Sequence, residues 1–433
     1  MAVIDLGEVT AEEHAPAIPV DHRRLLRAAL AVLSIAGLLV IAGSAPGAAA
    51  GVRPLWTIDD FRGDDSVVLA GQTAYVSRLE NGRPQVAAYD LAGGKLRWTA
   101  VTGEQIAAQP PRPAGDTVLA PTDPVTTKVV MPDGGEYLYL SPRNTVALDA
   151  RTGKELWRTA GNAMPSAGTG TALVVGEGEL RVVRLRDGGE IWRRSMPPLA
   201  GWTPLPDYLH PSAIATAGQD GLLSVFGYAD GKLRATSKVP WETRTRSATL
   251  IPAGRNLAVI RDDPSRDSTT TVYSAEDLKP LWSAGYLSPC GELLCSVAID
   301  GVAGRDPATG REVWTAPDAR NMFPVGDNRV LLAQNIDLSR EQLVDSRTGR
   351  PLGRPVLGAQ AYNYEESQNL YFVRPSANPP GRLVVTRLDL ADGAQTPLGV
   401  FGTSGGEQSF CVATRGYLAC PRDDGLHVLA VEP

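Results

Sequence analysis

Apolar and polar residues alternate along most of this chain, and the alternation breaks at turns that contain Asp and Gly. Around Val146 and Leu148 every second residue is apolar, a pattern typical of a β-strand with one buried face. The chain then turns at Asp149 and Gly153 and continues into a segment that ends at Trp157. Asp can accept hydrogen bonds from backbone N–H groups across a turn, and Gly can adopt the positive φ that a tight hairpin requires. Each such unit therefore predicts a β-hairpin.

The hairpin unit recurs eight times, and the clear copies end in Trp. The clear copies are residues 86–98, 145–157, 180–192 and 300–314, and the weaker ones turn at Asp230-Gly231, 276–280, Thr348-Gly349 and Asp392-Gly393. We assign the turn position of the eight copies to Gly94, Gly153, Gly189, Gly231, Pro280, Gly310, Gly349 and Gly393. Most turns are spaced near the forty residues of a four-stranded propeller blade. One hairpin cannot cover a Trp side chain by itself, so neighbouring units are expected to stack.

The two ends of the repeat region supply the halves of one more unit. Residues 52–58 contain Trp56 and resemble a returning strand, whereas residues 425–432 resemble an outgoing strand without a partner. Pairing the two would close the array and remove its exposed edges. Eight hairpins and this split unit give nine candidates, but the copy with Ala235 in place of Trp is expected to be irregular. We predict an all-β, eight-bladed β-propeller, with seven or nine blades as alternatives.

The repeat resembles that of the pyrroloquinoline-quinone-like (quinoprotein) β-propellers, whose pattern is Leu-Asp-x-x-Thr-Gly-x-x-x-Trp. Residues 148–157 match it in full, and residues 305–314 match it with Arg305 in the Leu place. The resemblance covers residues 52–433 and implies the fold, because a shared fold does not fix an activity. The residues predicted to pack between blades are Trp56, Trp98, Trp157, Trp192, Trp282, Trp314, Asp149, Gly153, Asp306 and Gly310.

An uncharged, largely apolar run of 24 residues, 28–51, precedes the repeats. About 20 residues suffice for a helix to cross a bilayer, so the run predicts a transmembrane segment. Residues 22–27 hold three Arg and one His, and such a basic flank stays in the cytoplasm. We therefore predict a cytoplasmic tail (1–24), a transmembrane signal-anchor helix (25–50) and an extracytoplasmic propeller (51–433).

A cleaved signal peptide is the alternative interpretation of the same run. Ala48, Ala49 and Ala50 could form a small-residue cleavage site. The segment before the run is acidic and longer than twenty residues, unlike a short basic leader, which favours an uncleaved anchor. Both interpretations place the propeller outside the cytoplasm.

The four cysteines form two close pairs, Cys290 with Cys295 and Cys411 with Cys420. Each pair falls within one predicted hairpin, so we predict two local structural disulfides. Metal binding is the alternative for the first pair, but no His lies near either pair. Disulfides agree with export, because they persist in oxidising compartments.

Composition offers no support for nucleic-acid binding, since the net charge is −6 and the isoelectric point is near 5.4. The resemblance implies that a quinoprotein dehydrogenase would carry a channel-bound quinone, a calcium ion and often a disulfide between adjacent cysteines. This chain has no adjacent cysteines, and the acidic stretch 261–268 lacks the spacing of a calcium loop. Trp202 and Trp241 lie outside the repeat and are either ligand platforms or additional core residues. His210 and His427 have no nucleophile-elbow motif nearby.

We therefore predict a single-pass cell-membrane protein whose propeller is a monomeric, non-catalytic binding or scaffolding module of the cell envelope. It would act without cofactor, metal or catalytic residues, and its partner would be a protein or another envelope ligand. Similar propellers serve as scaffolds in envelope-protein assembly and as sensor domains, as the resemblance implies. A pyrroloquinoline-quinone-dependent dehydrogenase and an extracellular ligand or glycan sensor are the alternatives.

Overall fold

The computed structural model describes residues 51–431 except 105–109, 131–135, 177, 240–246, 262–268, 327, 336–337, 364–367, 379 and 403–409, and at 125–130 and 136–142 it describes the backbone only. The chain divides into two compact units, Met1–Ala48 and Ala49–Pro433, and the described residues belong to the second. The predicted tail and anchor, 1–24 and 25–50, lie outside the described residues. Within the described part, no helix is long and apolar enough to span a membrane.

The described strands form nine sheets, each consisting of one propeller blade, and consecutive strands within a blade pair antiparallel. Blade 1 contains β2 (Ser66–Ala70), β3 (Thr73–Glu80), β4 (Arg83–Asp90) and β5 (Leu96–Val101); blade 2, β6 (Arg112–Ala114), β7 (Thr117–Val130), β8 (Glu136–Asp149) and β9 (Glu155–Ala160); blade 3, β10 (Asn162–Ser166), β11 (Thr171–Gly176), β12 (Glu179–Arg184) and β13 (Glu190–Ser195). Blade 4 contains β14 (Leu199–Leu205), β15 (Ala213–Gly218), β16 (Leu222–Gly227) and β17 (Leu233–Lys238); blade 5, β18 (Ala248–Ala253), β19 (Asn256–Arg261), β20 (Thr269–Ser274) and β21 (Pro280–Ala284); blade 6, β22 (Leu287–Cys290), β23 (Leu293–Ala298), β24 (Gly301–Arg305) and β25 (Glu312–Ala316). Blade 7 contains β26 (Asn321–Gly326), β27 (Arg329–Ala333), β28 (Arg340–Asp345) and β29 (Val356–Leu357); blade 8, β30 (Ala359–Gln360), β32 (Asn369–Pro375), β33 (Arg382–Asp389) and β34 (Gln395–Gly402). Blade 9 contains β35 (Val412–Thr414), β36 (Tyr417–Arg422), β37 (Gly425–Val431) and β1 (Val52–Ile58), with β31 (Tyr362–Asn363) parallel to β35. A 3-10 helix, Ala167–Thr169, lies in blade 3.

Blade 9 is assembled from both ends of the repeat region, which confirms the predicted closure. β1 pairs antiparallel with β37, from Val52 opposite Val431 to Ile58 opposite Leu426. The all-β propeller is therefore confirmed, and the described strands build nine blades, which is the alternative that we gave and not the favoured number of eight. The difference arises at blade 4, which forms a regular four-stranded sheet although Ala235 replaces the repeat Trp.

Burial is concentrated between blades. The described residues form nine clusters of buried apolar side chains, and each cluster joins two consecutive blades. One cluster contains Val428 of blade 9 and Leu69 of blade 1, so the interfaces between consecutive blades close into a ring. Because each sheet has two faces, a blade completes its burial only between two neighbours.

At six of the nine described blade contacts, the repeat Trp connects one blade to the turn of the next. Trp98 of blade 1 donates an indole hydrogen bond to the carbonyl oxygen of Ala150 in blade 2, at 3.0 Å. Its ring lies on Gly153, where an added Cβ would come within 2.5 Å of the indole. Gly153 also has a φ of +70°, so both the turn and the close approach require Gly here. The same contact joins Trp56 to Gly94, Trp157 to Gly188, Trp192 to Gly231, Trp282 to Gly310 and Trp314 to Gly349.

Two of the predicted turn positions need correction. In blade 3 the residue with positive φ that meets the Trp is Gly188, not Gly189. In blade 5 the turn residue with positive φ is Leu278, not Pro280. The Leu278 N–H donates to the carbonyl oxygen of Ser274, as the Gly94 N–H donates to that of Asp90 in blade 1. Both errors came from placing the turn by residue type instead of by its hydrogen bond.

The contact between blades 4 and 5 is built differently from the Trp–Gly pairs. Ala235 pairs with Val225 in the register that Trp192 adopts opposite Val182. Where the indole is missing, the turn of the next blade has Leu278 in the place of the usual Gly. Leu278 is completely buried and has a φ of +54°. Leu278 and Ala235 belong to the same core cluster. The Leu side chain therefore supplies packing that the Trp provides elsewhere.

Blades 7 and 8 meet without a Trp through two glycines. Gly353 occupies the place of the Trp, four residues after Gly349, and approaches the backbone of Gly393. A Cβ added at Gly353 would lie 2.1 Å from the Gly393 carbonyl oxygen. The two backbones are in direct contact, so neither position has room for a side chain.

Both predicted disulfides are present. Cys290 bonds to Cys295, linking β22 to β23, and Cys411, next to β35, bonds to Cys420 of β36. No described cysteine is free. The bonds lie in blades 6 and 9, inside the core clusters that these blades share with their neighbours.

We predict that Ala235 and Leu278 are energetically coupled. Ala235→Trp alone overpacks the site and should destabilise the protein by about 1–3 kcal/mol. Leu278→Gly alone removes a buried side chain and should cost about 2–5 kcal/mol. The double variant recreates the Trp–Gly pair and should be more stable than the sum of the two single changes predicts. Denaturant unfolding of all four proteins measures this coupling.

The control combines Leu278→Gly with Trp98→Ala, which lies between blades 1 and 2 and shares no cluster with Leu278. These two changes should be additive within about 0.5 kcal/mol. Additivity of Ala235→Trp with Leu278→Gly would contradict the proposed coupling.

Candidate binding site

A polar cavity of about 460 Å³ lies between blades 1 and 2. Its volume falls within the range of small-molecule sites, roughly 300–1,000 Å³. Blade 1 contributes the start of β4 and the end of β5, and blade 2 contributes β7, β8 and β9. The lining residues are Arg83, Val101, Thr102, Gly103, Glu104, Asp123, Arg143, Asn144 and Arg158.

The cavity lies where an extended hairpin leaves blade 2. Strands β7 and β8 each contain 14 residues, whereas β11 and β12 of blade 3 contain 6. β6 pairs with β7 no further than Leu119, and β9 pairs with β8 only from Asn144 onward. Beyond Asn144 the two strands pair with each other alone, up to Val130 opposite Glu136. We call residues 123–143 the hairpin arm.

Asp123 fixes the base of the hairpin arm. One carboxylate oxygen accepts the backbone N–H of Glu104 at 3.2 Å, and the other accepts the Asn144 side-chain amide at 3.0 Å. Asp123 has a φ of +52°, a conformation that Asp tolerates better than most residues other than Gly. Its side chain thus connects the loop after β5 to both strands of the arm.

Gly103 forms the narrowest part of this region. A Cβ at Gly103 would lie 1.8 Å from Thr122 Oγ1 and 2.8 Å from an Asp123 carboxylate oxygen. The Thr122 side chain is buried, and its hydroxyl has no hydrogen-bond partner. The loop can approach the arm this closely only because residue 103 has no side chain.

Three arginines surround the opening. Arg158 donates to the carbonyl oxygen of Thr102 at 3.0 Å and forms an ion pair with Glu155 at 3.0 Å. Arg83 and Arg143 are exposed and form no ion pair with any described carboxylate. The cavity therefore presents guanidinium donors and carboxylate or amide acceptors to one space, and this arrangement is suited to hydrogen bonding a polar ligand.

The predicted blade-packing residues are distributed over six of the nine described blade contacts, and the structure does not bring them together into a site. Asp149 and Asp306 each accept hydrogen bonds within their own turn, from the hydroxyl and backbone N–H of Thr152 and Thr309. These bonds stabilise the charged carboxylate and lower the pKa of both groups. Their place in the hairpin accounts for their recurrence.

Other residues considered from the sequence are also separate from the cavity. Trp202 packs against the core between blades 3 and 4, with its ring 6.3 Å from that of Tyr208. Trp241 and residues 262–268 lie outside the described residues. His427 contacts Asp424 at 2.8 Å, and no group of three metal-ligating side chains occurs in the described ranges.

Sequence reasoning missed the cavity because its residues come from five strands and form no motif. The one available signal was the long gap between the turns at Gly94 and Gly153, 59 residues. The structure uses the excess for the loop after β5 and the hairpin arm.

Glu341 is an ionisable group buried away from this cavity, on β28 of blade 7. It is 2% exposed, and its Oε2 atom makes no hydrogen bond. Burial disfavours the charged form and raises the pKa of the carboxyl from 4.5 to about 7. Glu341 shares its strand face with Leu343, a member of the cluster between blades 7 and 8. Ionisation there opposes the packing of these two blades.

The raised pKa of Glu341 predicts a loss of stability as the pH rises. The folded state binds the proton more tightly than the unfolded chain, so stability falls between pH 4.5 and about 7. Glu341→Gln retains the shape of the side chain without its charge. It should remove the loss of folding stability caused by ionisation of Glu341, which is on the order of 3 kcal/mol at pH 8. Melting temperatures at pH 5 and pH 8 measure it.

The matched control is Glu276→Gln, since the Glu276 side chain is 83% exposed. It should leave the pH dependence unchanged. If Glu341→Gln has the same pH dependence as the wild type, the assignment to this group is wrong.

The family model described as outer membrane protein assembly factor BamB matches residues 47–197 and 143–316. Together the two matches span residues 47–316, or 270 of 433 residues. No curated protein matches the chain in sequence.

Several solved structures resemble this one. The crystal structure of BamB from Moraxella catarrhalis is 12% identical over 88% of this chain and 100% of that chain, with a TM-score of 0.41. The computationally designed Ika8 protein is 11% identical over 88% of this chain and 98% of that chain, with a TM-score of 0.43. A eukaryotic initiation factor structure is 12% identical over 80% of this chain and 91% of that chain, with a TM-score of 0.52. At this identity the last similarity is one of fold alone.

Proposed function

Because the chain belongs to the PQQ-like β-propeller family described as outer membrane protein assembly factor BamB, we propose that it is a non-catalytic binding and scaffolding module of the cell envelope. It is anchored in the membrane by residues 25–50, and the propeller lies on the extracytoplasmic side. Its partner is a protein or another envelope ligand.

Two observations support the extracytoplasmic location. Residues 22–27 carry the basic flank that keeps the first segment in the cytoplasm. The propeller contains two disulfides, which form and persist in oxidising compartments.

The hairpin arm is the observation that carries the binding role. Its strands extend beyond β6 and β9, so their outer edges have unpaired backbone groups in the described structure. Unpaired strand edges are points where another chain can bind. Among the blades described, the arm belongs to blade 2 alone.

We predict that a partner binds at the hairpin arm. A photo-reactive amino acid at Thr127, on β7 of the arm, should give specific adducts in intact cells, with an extracytoplasmic protein or envelope polymer. The same group at Lys154, an exposed residue in the turn of blade 2, should not give them. Mass spectrometry of the purified adducts identifies the partner.

Replacing residues 124–142 with Asn-Gly provides the matched variant. The shortened β7 and β8 are then close in length to the six-residue strands β11 and β12, so the fold should remain. Loss of binding with an unchanged melting temperature is expected. Adducts with cytoplasmic proteins would contradict the location, and equal adducts from Lys154 would contradict the role of the arm.

We also predict that the propeller does not use a quinone. Pyrroloquinoline quinone with calcium should neither raise the melting temperature nor support dye-linked oxidation of alcohols or sugars. A ligand at 100 times its Kd would stabilise the protein by about 2.7 kcal/mol, which a thermal melt detects. A clear shift would overturn the non-catalytic assignment.

A further inference from the structure

The charges around the cavity between blades 1 and 2 balance one another. Arg158 is neutralised by Glu155, and the remaining guanidinium groups of Arg83 and Arg143 face the carboxylates of Asp123 and Glu104 across the same space. Three guanidinium groups and two carboxylates line the site, and the Glu155 carboxylate beside it compensates Arg158, so the site carries little net charge. It offers hydrogen-bond donors and acceptors of both kinds side by side.

The lining is also more polar than apolar. Among the lining residues that the structure describes, Val101 is the one branched aliphatic residue and none is aromatic. An apolar ligand would displace water from these polar groups without replacing the hydrogen bonds that the water made, which is unfavourable. The ligand must itself donate and accept hydrogen bonds at several adjacent positions.

Neutral saccharides have this property. Each hydroxyl is both donor and acceptor, and neighbouring hydroxyls match the two oxygens of a carboxylate or the fork of a guanidinium. Asp123 is fixed by Glu104 and Asn144, so the acceptors are oriented before a ligand arrives. Such preorganisation reduces the entropy lost on binding.

We propose that this cavity binds a neutral saccharide, which makes the glycan of the envelope a second ligand of the propeller. The proposal rests on the extracytoplasmic location proposed above; it uses Asp123 and Arg143 at the base of the hairpin arm but does not depend on partner binding along the arm. Arg83 and Arg143 donate to sugar hydroxyls. Asp123 accepts a hydrogen bond from the Asn144 side-chain amide and so holds that amide in place at the cavity wall.

Saturation-transfer NMR on the full-length protein in detergent tests the proposal, with cellobiose, maltose, trehalose and N,N′-diacetylchitobiose as probes and inorganic phosphate as the anionic comparator. We expect at least one sugar to bind and phosphate not to compete. The Arg83→Ala and Arg143→Ala variants should each raise its Kd at least tenfold. Arg184→Ala, which removes an exposed arginine paired with Asp187 outside the cavity, should leave the Kd unchanged.

Melting temperatures within two degrees of the wild type would show that the arginine variants are folded. Gly103→Ala gives a second test, because its Cβ displaces Thr122 and Asp123 without removing any charge; it should also weaken binding. Failure of all four sugars to bind, competition by phosphate, or unchanged affinity in Arg83→Ala and Arg143→Ala would overturn the proposal. None of these results affects cross-linking from Thr127, so the two proposals fail separately.

Discussion

The propeller depends on one packing constraint, the contact of an indole with a residue that has no side chain. At each such contact the Trp covers the turn of the next blade and donates to a carbonyl there, as Trp98 does with Ala150. The Gly must be at this position for two independent reasons, since φ is positive and the ring leaves no space for Cβ. The repeat therefore encodes a local hairpin and a contact between blades in the same few residues.

This double role explains which parts of the fold the sequence could predict. Alternation, turn residues and Trp define the hairpins, and the unpaired strand patterns at 52–58 and 425–432 predict closure. The favoured blade number was wrong because the sequence rule treats Trp as the mark of a unit. Leu278 fulfils the packing role from the opposite blade at a positive φ, a substitution that no propensity suggests. Turn placement failed where residue type and hydrogen-bond position differ, at Gly188 and Leu278.

The candidate site was less predictable for a different reason. A repeated residue has the same structural task in every blade, so repetition identifies the core and cannot identify a site. The cavity instead depends on departures from the repeat: the long strands of blade 2, the positive φ of Asp123 and the close approach of Gly103. These residues come together only after blades 1 and 2 have packed, through the shared cluster that includes Trp98 and Val118. Function in a propeller of this kind is expected where one blade differs from the others.

The split blade has a consequence for how the protein reaches its folded state. Val52 pairs with Val431, 379 residues further along the chain, so β1 is synthesised long before its partner. The cost of closing a loop grows only slowly with its length, but contacts of such long range slow folding. Until β37 arrives, blades 1 and 9 present an open strand edge and an uncovered apolar face, at Leu69 and Val428 among others. Until both ends of the repeat region have been synthesised the propeller is an incomplete ring, and the open edge is exposed to pairing with other unfolded chains during this period.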